Sequence, residues 1–254
     1  MPGSDFTARN KAAWEAEAYE AWVEAYGPPD EVARQLVANP EYKLKRLLPF
    51  LGEIRDRDIA NPLGSHGRVA VSMAILGARV TVFDISASNR RYALEVAKEA
   101  GVSLKYQLGP FLDVPDEVYG QRFDLAVLEL GIMHWFLDLD LFVRKLAALL
   151  RSSGRVVLNE FHPLVKKVIS IADGEARITG DYFTDKIHET PVPYTVLQDR
   201  PNPDLPQSRV RYWTMGEIVT AFAQGGFHID RLVETPSREF PRLPDMFTLI
   251  ASKV

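Results

Sequence analysis

The residues best able to do chemistry in this chain of 254 residues lie between Asp58 and Asp84, in DIANPLGSHGRVAVSMAILGARVTVFD. Asn61, Gly64, Ser65, His66 and Gly67 fall in a turn that no strand can continue, because Pro62 lacks an amide hydrogen and two glycines follow. The apolar spacing of RVAVSMAIL predicts a helix closed by Gly77, and β-branched RVTVF predicts a strand that ends on Asp84. A turn that opens a helix presents unpaired backbone amides to a ligand. A carboxylate at the tip of the next strand can accept both hydroxyls of a ribose. The stretch therefore has the chemistry of a nucleoside or nucleotide site. A βαβ unit with no ligand accounts for the same residues equally well.

The elements that must position these residues follow a regular pattern. Residues 7–26 read as a helix carrying Trp14, Trp22 and Tyr26, stopped by Gly27-Pro28-Pro29, and a second helical region from Asp30 breaks near Pro40. After Asp84, Ser86 or Ser88 caps a helix through NRRYALEVAKEAG, and LKYQL is a third strand. FDLAVLEL is apolar enough for a central parallel strand buried on both faces. LDLFVRKLAALLRSSG predicts a helix stopped at Gly154, and RVVLNEF a fifth strand halted at His162-Pro163. Strands alternating with helices imply an α/β fold with a doubly wound, mostly parallel sheet.

Residues 173–212 break that pattern with short strand-like pieces and five prolines between Pro191 and Pro206, where no helix is expected. So long a connector reads as a cap over the site, a surface insertion being the alternative. TMGEIVTAFAQGG then predicts a helix with a capping box from Thr214 and Glu217, and the chain closes with an antiparallel strand pair. The expected organisation is an N-terminal helical lid over 1–43, a cofactor-binding core over 44–172, a cap over 173–212, and a closing helix and strand pair over 213–254.

Composition narrows the function. The chain is 46% hydrophobic and 25% charged, with net charge −4, which offers nothing to attract a phosphate backbone, so a nucleic-acid partner is not expected. The absence of cysteine excludes disulfides, thiolate-bound zinc and a thiol nucleophile. The N-terminal stretch has no uninterrupted apolar core, and no apolar run spans a bilayer, so a cytoplasmic protein without membrane contact is expected, as monomer or homo-oligomer.

Strand, glycine turn, helix, strand and acid, three further βα steps and a final antiparallel pair together resemble the class I S-adenosylmethionine-dependent methyltransferases. The resemblance covers roughly Leu44 to Val254. It is carried by the 17-residue spacing from Gly67 to Asp84 (84 minus 67), by LRSSGRVVLNEFHP and by GGFHIDRLVE…MFTLIASK. It implies a Rossmann-like seven-stranded sheet with its last strand antiparallel, and S-adenosylmethionine over the carboxyl ends of the first strands. It places Asn61, Gly64, Ser65, Gly67, Asp84, Ile85, Asn89, Phe111, Leu112 and Glu129 at the cofactor. The turn departs from the family's acid-x-G-x-G-x-G pattern. Asn61 stands at the acid, Leu63 and Ser65 at the first two glycines, and Gly64 is displaced by one. After the third strand, Pro110 stands where the family often has an acid for adenine, leaving backbone at Phe111 and Leu112, or Asp113, to read it.

Methyl transfer is an in-line displacement at an activated carbon, so the protein chiefly aligns an acceptor and excludes water, with a base where the acceptor carries a proton. His162 and His134, after strands five and four, are the candidate bases. For His134, a ring bonded to backbone at a helix entry is the alternative. Glu160 and His162 offer two metal ligands without a third, so no metal is expected. Trp22, Tyr26, Tyr182 and Tyr194 are the candidate substrate-binding residues, enclosing a small acceptor unless they only pack the lid and cap. The reading is a methyltransferase of small metabolites. The alternatives are the same fold turned to a non-methylating reaction, or a non-catalytic binding protein.

Overall fold

The structure is a computed structural model that describes residues 2–172, 174–200 and 202–254. Five helices lead in: α1 (Pro2–Glu15), α2 (Ala18–Tyr26), α3 (Pro29–Ala38), α4 (Pro40–Leu44) and α5 (Leu48–Leu51). The core follows as β1 (Asp58–Pro62), α6 (Arg68–Ile75), β2 (Arg79–Asp84), α7 (Ala87–Glu99), β3 (Lys105–Leu108), α8 (Asp116–Tyr119), β4 (Phe123–Glu129), α9 (Leu139–Leu149) and β5 (Leu150–Phe161). The segment beyond β5 holds α10 (Pro163–Lys167), β6 (Ile169–Ala172), β7 (Glu175–Ile178), β8 (Ile187–Thr190) and β9 (Ser208–Arg211). The chain closes with α11 (Met215–Gln224), β10 (Phe227–Pro236) and β11 (Pro244–Lys253).

The main sheet has seven strands in the order β10-β11-β5-β4-β1-β2-β3. β1 pairs in parallel with β2 and β4, while β11 is antiparallel to both β5 and β10. This is the expected doubly wound Rossmann-like sheet. Its strand order reverses between β1 and β4, and at such a switch point the loops beyond the carboxyl ends diverge and leave a crevice. The inner strands are apolar on both faces because helices cover both: Ala60, Ala126, Leu128 and Leu158 pack in one buried cluster, Ile59, Val82, Val127 and Val157 in another.

The N-terminal helices form a third apolar cluster. Ala18, Ala21, Trp22, Val32, Ala33 and Leu36 pack against Tyr92, Val96 and Ala97 of α7, and against Val192 and Tyr194 of the segment after β8. The helix expected over 7–26 is split between Glu15 and Ala18, because the Tyr194 hydroxyl enters the break, accepting from the Glu17 amide and donating to the Ala13 carbonyl.

Two further expectations differ. The helix expected to run to Gly154 ends at Leu149. Leu150 joins the ladder opposite Phe123, and residues 151–154 bulge out before Arg155 pairs with Leu125. Arg151 in that bulge bonds Asp124 and Asp58, tying the sheet's lower rim. The proline-rich stretch holds a 3-10 turn at Pro193–Leu197, with Pro193 at its opening position, where a missing amide costs nothing. The chain also leaves the main sheet at α10, earlier than residue 173. No helix among the described residues is long and apolar enough to cross a membrane.

Gly67 fixes how α6 leaves the turn. Its φ is +75°, and a Cβ there would lie 2.5 Å from the Cβ of Ala93 on α7. Gly67→Ala should therefore lower stability by on the order of 2 kcal/mol or more, from left-handed backbone strain plus overpacking. Thermal unfolding should show a fall in Tm of several degrees, and an unchanged Tm would contradict this tight packing.

Candidate active site

The turn after β1 is held by side chains from three strands. Asn61 Nδ2 donates to the Val127 carbonyl across to β4, fixing the amide at the switch point. Its Oδ1 is buried without a hydrogen-bond partner. Gly64 passes so close that a Cβ would meet that oxygen at 2.2 Å, which explains a glycine one place from the family's position. Leu63 and Ser65 take left-handed φ values of 51° and 49°, conformations that favour glycine. Ser65 Oγ is also buried and unpartnered.

Asp84 lies 6% exposed at the tip of β2. Its carboxylate accepts from the Ser65 amide (3.0 Å), the Ser86 amide (2.9 Å) and Asn89 Nδ2 (3.2 Å), joining turn, strand end and α7. Burial pushes its pKa up, against the pull of these donors. Ser86 caps α7 through the Asn89 amide. Asn89 Oδ1 then accepts from Trp22 Nε1 at 2.8 Å, so a chain of bonds runs from the N-terminal helices to Asp84. Ile85 is half-buried beside it.

Above the turn lies an aromatic roof. Trp22 meets the His66 ring edge-on at 4.6 Å and stacks on Tyr26 at 5.8 Å, while Trp14 reaches Trp135 of the loop after β4 at 5.8 Å. The Arg68 guanidinium covers Tyr26 at 4.0 Å. Glu15 crosses as well, accepting from the Ala87 and Ser88 amides that open α7. Glu129 at the end of β4 is paired with Lys43 of α4 at 3.2 Å. Beyond β3, a pocket of about 160 Å³ is lined by Leu108, Gly109, Pro110 and Asp113. Phe111 itself is turned into the core, against Phe83 and Phe142, so only its backbone stays available to a ligand, and Leu112 is half-buried beside it.

The loop after β4 is organised by Glu160. Its buried carboxylate accepts from the amides of Gly131 (2.7 Å), Ile132 (2.6 Å), Met133 (3.4 Å) and Phe161 (2.7 Å). Every acceptor site of that carboxylate is taken by an amide, so the ionised Glu160 has no lone pair left for a metal. Among the described residues no group of three or more potential metal ligands exists. The loop carries His134 into a second pocket, whose walls include Phe161, Lys166, Tyr212 and Trp213. Burial, with Lys166 adding to it, pushes the His134 pKa down to about 3.

The candidate bases take different roles from those expected. His162 is buried with both ring nitrogens in use: Nδ1 accepts from the Leu164 amide as the cap of α10, and Nε2 bonds Glu234 at 2.8 Å. It holds β5, α10 and β10 together and offers no free lone pair. His134 faces a pocket, but its depressed pKa makes it a neutral hydrogen-bond partner and a weak base. The expected substrate residues also separate. Trp22 and Tyr26 lie over the turn, Tyr194 is sealed among the N-terminal helices, and the Tyr182 hydroxyl accepts from the Met215 amide at the start of α11. Glu15, Lys43 and Glu160 were not singled out by sequence as site-organising contacts. No spacing rule links residues 43 and 129, or 15 and 87, and only the fold brings them together.

The low His134 pKa has a consequence for stability. As pH falls from 6.5 towards 3, the unfolded imidazole binds a proton that the folded one does not, so stability is full above 6.5 and is lost on acidification. His66, also depressed by burial, acts with the same sign, whereas Asp84 and Glu160, raised by burial, act with the opposite one. Urea midpoints measured for the wild type and His134→Gln isolate the term. The wild type should lose more stability than the variant between pH 7 and pH 5, and parallel curves would contradict it.

Comparison with known proteins gives the arrangement a context. Residues 63–158 match the methyltransferase domain family. The ubiquinone biosynthesis O-methyltransferase of Chelativorans sp. (strain BNC1) is 35% identical over 88 residues, 35% of this chain and 34% of the relative, so the match spans about a third of that protein's length. The S-adenosylmethionine dependent methyltransferase of Mesorhizobium loti superposes with a TM-score of 0.63 at 19% identity, over 85% of this chain and 100% of that one. Magnesium protoporphyrin IX methyltransferase of Synechocystis PCC 6803, with bound S-adenosylhomocysteine (SAH), superposes with a TM-score of 0.62 at 16% identity, over 98% of this chain and 100% of that one. Residues 63–158 thus match a methyltransferase domain, and the seven-stranded sheet has the fold of these S-adenosylmethionine-dependent methyltransferases.

Proposed function

We propose that this chain is an S-adenosylmethionine-dependent methyltransferase acting on a small-molecule acceptor in the cytoplasm. The observation that carries the reading is Asp84, buried at the tip of β2 and tied to the glycine turn at the switch point. The residues present fit the cofactor. A carboxylate has about four acceptor sites, and Asp84 spends three on protein donors, the longest from Asn89. The remaining site, with the bond that Asn89 can release, suits a ribose diol. The orphan Oδ1 of Asn61 suits the cofactor's ammonium, and the pocket after β3 suits its adenine.

When bound, S-adenosylmethionine supplies an activated methyl group on a sulfonium. The protein's part is then alignment and exclusion of water. Trp14, Trp22 and Trp135 roof the carboxyl ends of β1, β2 and β4. Glu160 fixes the loop that presents His134, whose neutral ring accepts a hydrogen bond from an acceptor's O–H or N–H and so orients it, the acceptor's proton passing to solvent after methyl transfer. An oxygen acceptor is favoured by the O-methyltransferase named above. A second reading, a non-methylating or purely binding role, is kept by Trp22 and His66 meeting at 4.6 Å over the turn.

Isothermal titration with S-adenosylmethionine separates these readings. Binding near physiological concentration is expected, and its absence would overturn the methyltransferase reading. Asp84→Ala should weaken that binding by about 1–3 kcal/mol, the range for leaving buried hydroxyls unpaired. An unchanged Kd in a variant that circular dichroism shows to be folded would place the cofactor elsewhere.

A further inference from the structure

Among the described residues, Lys43–Glu129 is the one ion pair in which both side chains are less than a quarter exposed, at 21% and 8%. Every other pair has at least one partner more than a third exposed. Two charges taken largely out of water are stable only where further hydrogen bonds satisfy their remaining donors and lone pairs. Here the single bond of 3.2 Å is all that either charged group has among the described residues. The carboxylate keeps about three acceptor sites and the ammonium about two N–H groups without a protein partner.

The pair stands at the switch-point crevice. Glu129 ends β4 just beyond Val127, whose carbonyl accepts from Asn61 Nδ2. The strand tip is held firmly: the Leu130 amide donates to the Asn159 carbonyl, and Glu160 fixes Gly131 and Ile132 beyond it. Lys43 reaches the tip from α4, which Leu44 anchors in the cluster that holds Val69 and Met73 of α6. Its charge is also felt in the turn, where burial, then Lys43 and Arg68, push the His66 pKa down. Asn61, in the same crevice, offers a buried, unpartnered Oδ1 but no charge. An opposed pair of charges with unused hydrogen-bonding positions is the complement of a zwitterion, each charge of which meets its opposite.

We propose that the cofactor's amino-acid end seats on this pair, its ammonium on Glu129 and Asn61 Oδ1 and its carboxylate on Lys43, so that β4 supplies the charge that Asn61 lacks. The proposal rests on the methyltransferase reading above. It is tested on the full chain by isothermal titration with SAH, with 5′-methylthioadenosine, which lacks the amino-acid end, and with the SAH analogues that keep only the ammonium or only the carboxylate.

The wild type should bind SAH about tenfold or more tightly than methylthioadenosine. Lys43→Met and Glu129→Gln should each remove most of that advantage and leave methylthioadenosine affinity unchanged. The single-charge analogues should cross over. Lys43→Met, which frees the Glu129 carboxylate, should bind the ammonium-only analogue more tightly than the wild type does, and Glu129→Gln, which frees Lys43, the carboxylate-only one. No advantage of SAH over methylthioadenosine, an advantage that survives either variant, or no crossover would overturn the proposal. Methylthioadenosine affinity falling in step with that of SAH would make the pair a structural tie and overturn it as well. Failure of the wild type to bind both SAH and methylthioadenosine would instead overturn the methyltransferase reading, and this proposal with it.

Discussion

A carboxylate held almost out of water must be surrounded by donors, and the carboxyl ends of β1 and β2 are arranged to surround Asp84. Its three donors come from three places: the glycine turn, the first residue group after β2, and the first turn of α7. Each bond fixes one wall of the crevice at the switch point. The left-handed residues Leu63 and Ser65 are tolerated because the Ser65 amide must point at that carboxylate. The Trp22–Asn89 bond extends the same network into the N-terminal helices. Turn, sheet and roof therefore form one polar unit, and a change at any member is felt at Asp84.

Glu160 plays the matching part on the other side of the crevice. Four amides converge on it, three from the loop after β4. Both buried carboxylates sit at strand tips; Glu160 is fully spent on loop geometry, and Asp84 gives it three of about four acceptor sites. On the proposed methyltransferase reading, catalysis depends on alignment and desolvation more than on proton transfer.

Much of this was legible in the sequence. The alternation of apolar strands and amphipathic helices specified the sheet, and Pro62, Gly67 and Asp84 marked the turn and its acidic neighbour, because steric limits on proline and glycine act locally. The role of Gly64 was not legible. Its reason is the Asn61 side chain lying against it, a contact across the turn that spacing alone does not reveal. His162 was placed at a strand end by sequence, correctly, yet its chemistry depends on Glu234 of β10, 72 residues away. The Lys43–Glu129 pair and the Glu15 contact to α7 are likewise products of tertiary packing. Local rules located the site, and long-range partners decided what each side chain in it is free to do.

The central claim is that the cofactor crosses from the 63–67 turn over Asp84 to the pocket after β3. A crystal structure of the full chain grown with S-adenosylhomocysteine tests it most directly. The account predicts density along that path, ribose hydroxyls on the Asp84 carboxylate, and Asn89 shifted from its present bond. Ligand density elsewhere, or a bound ligand with Asp84 still holding its three protein donors and none from the ribose, would contradict it.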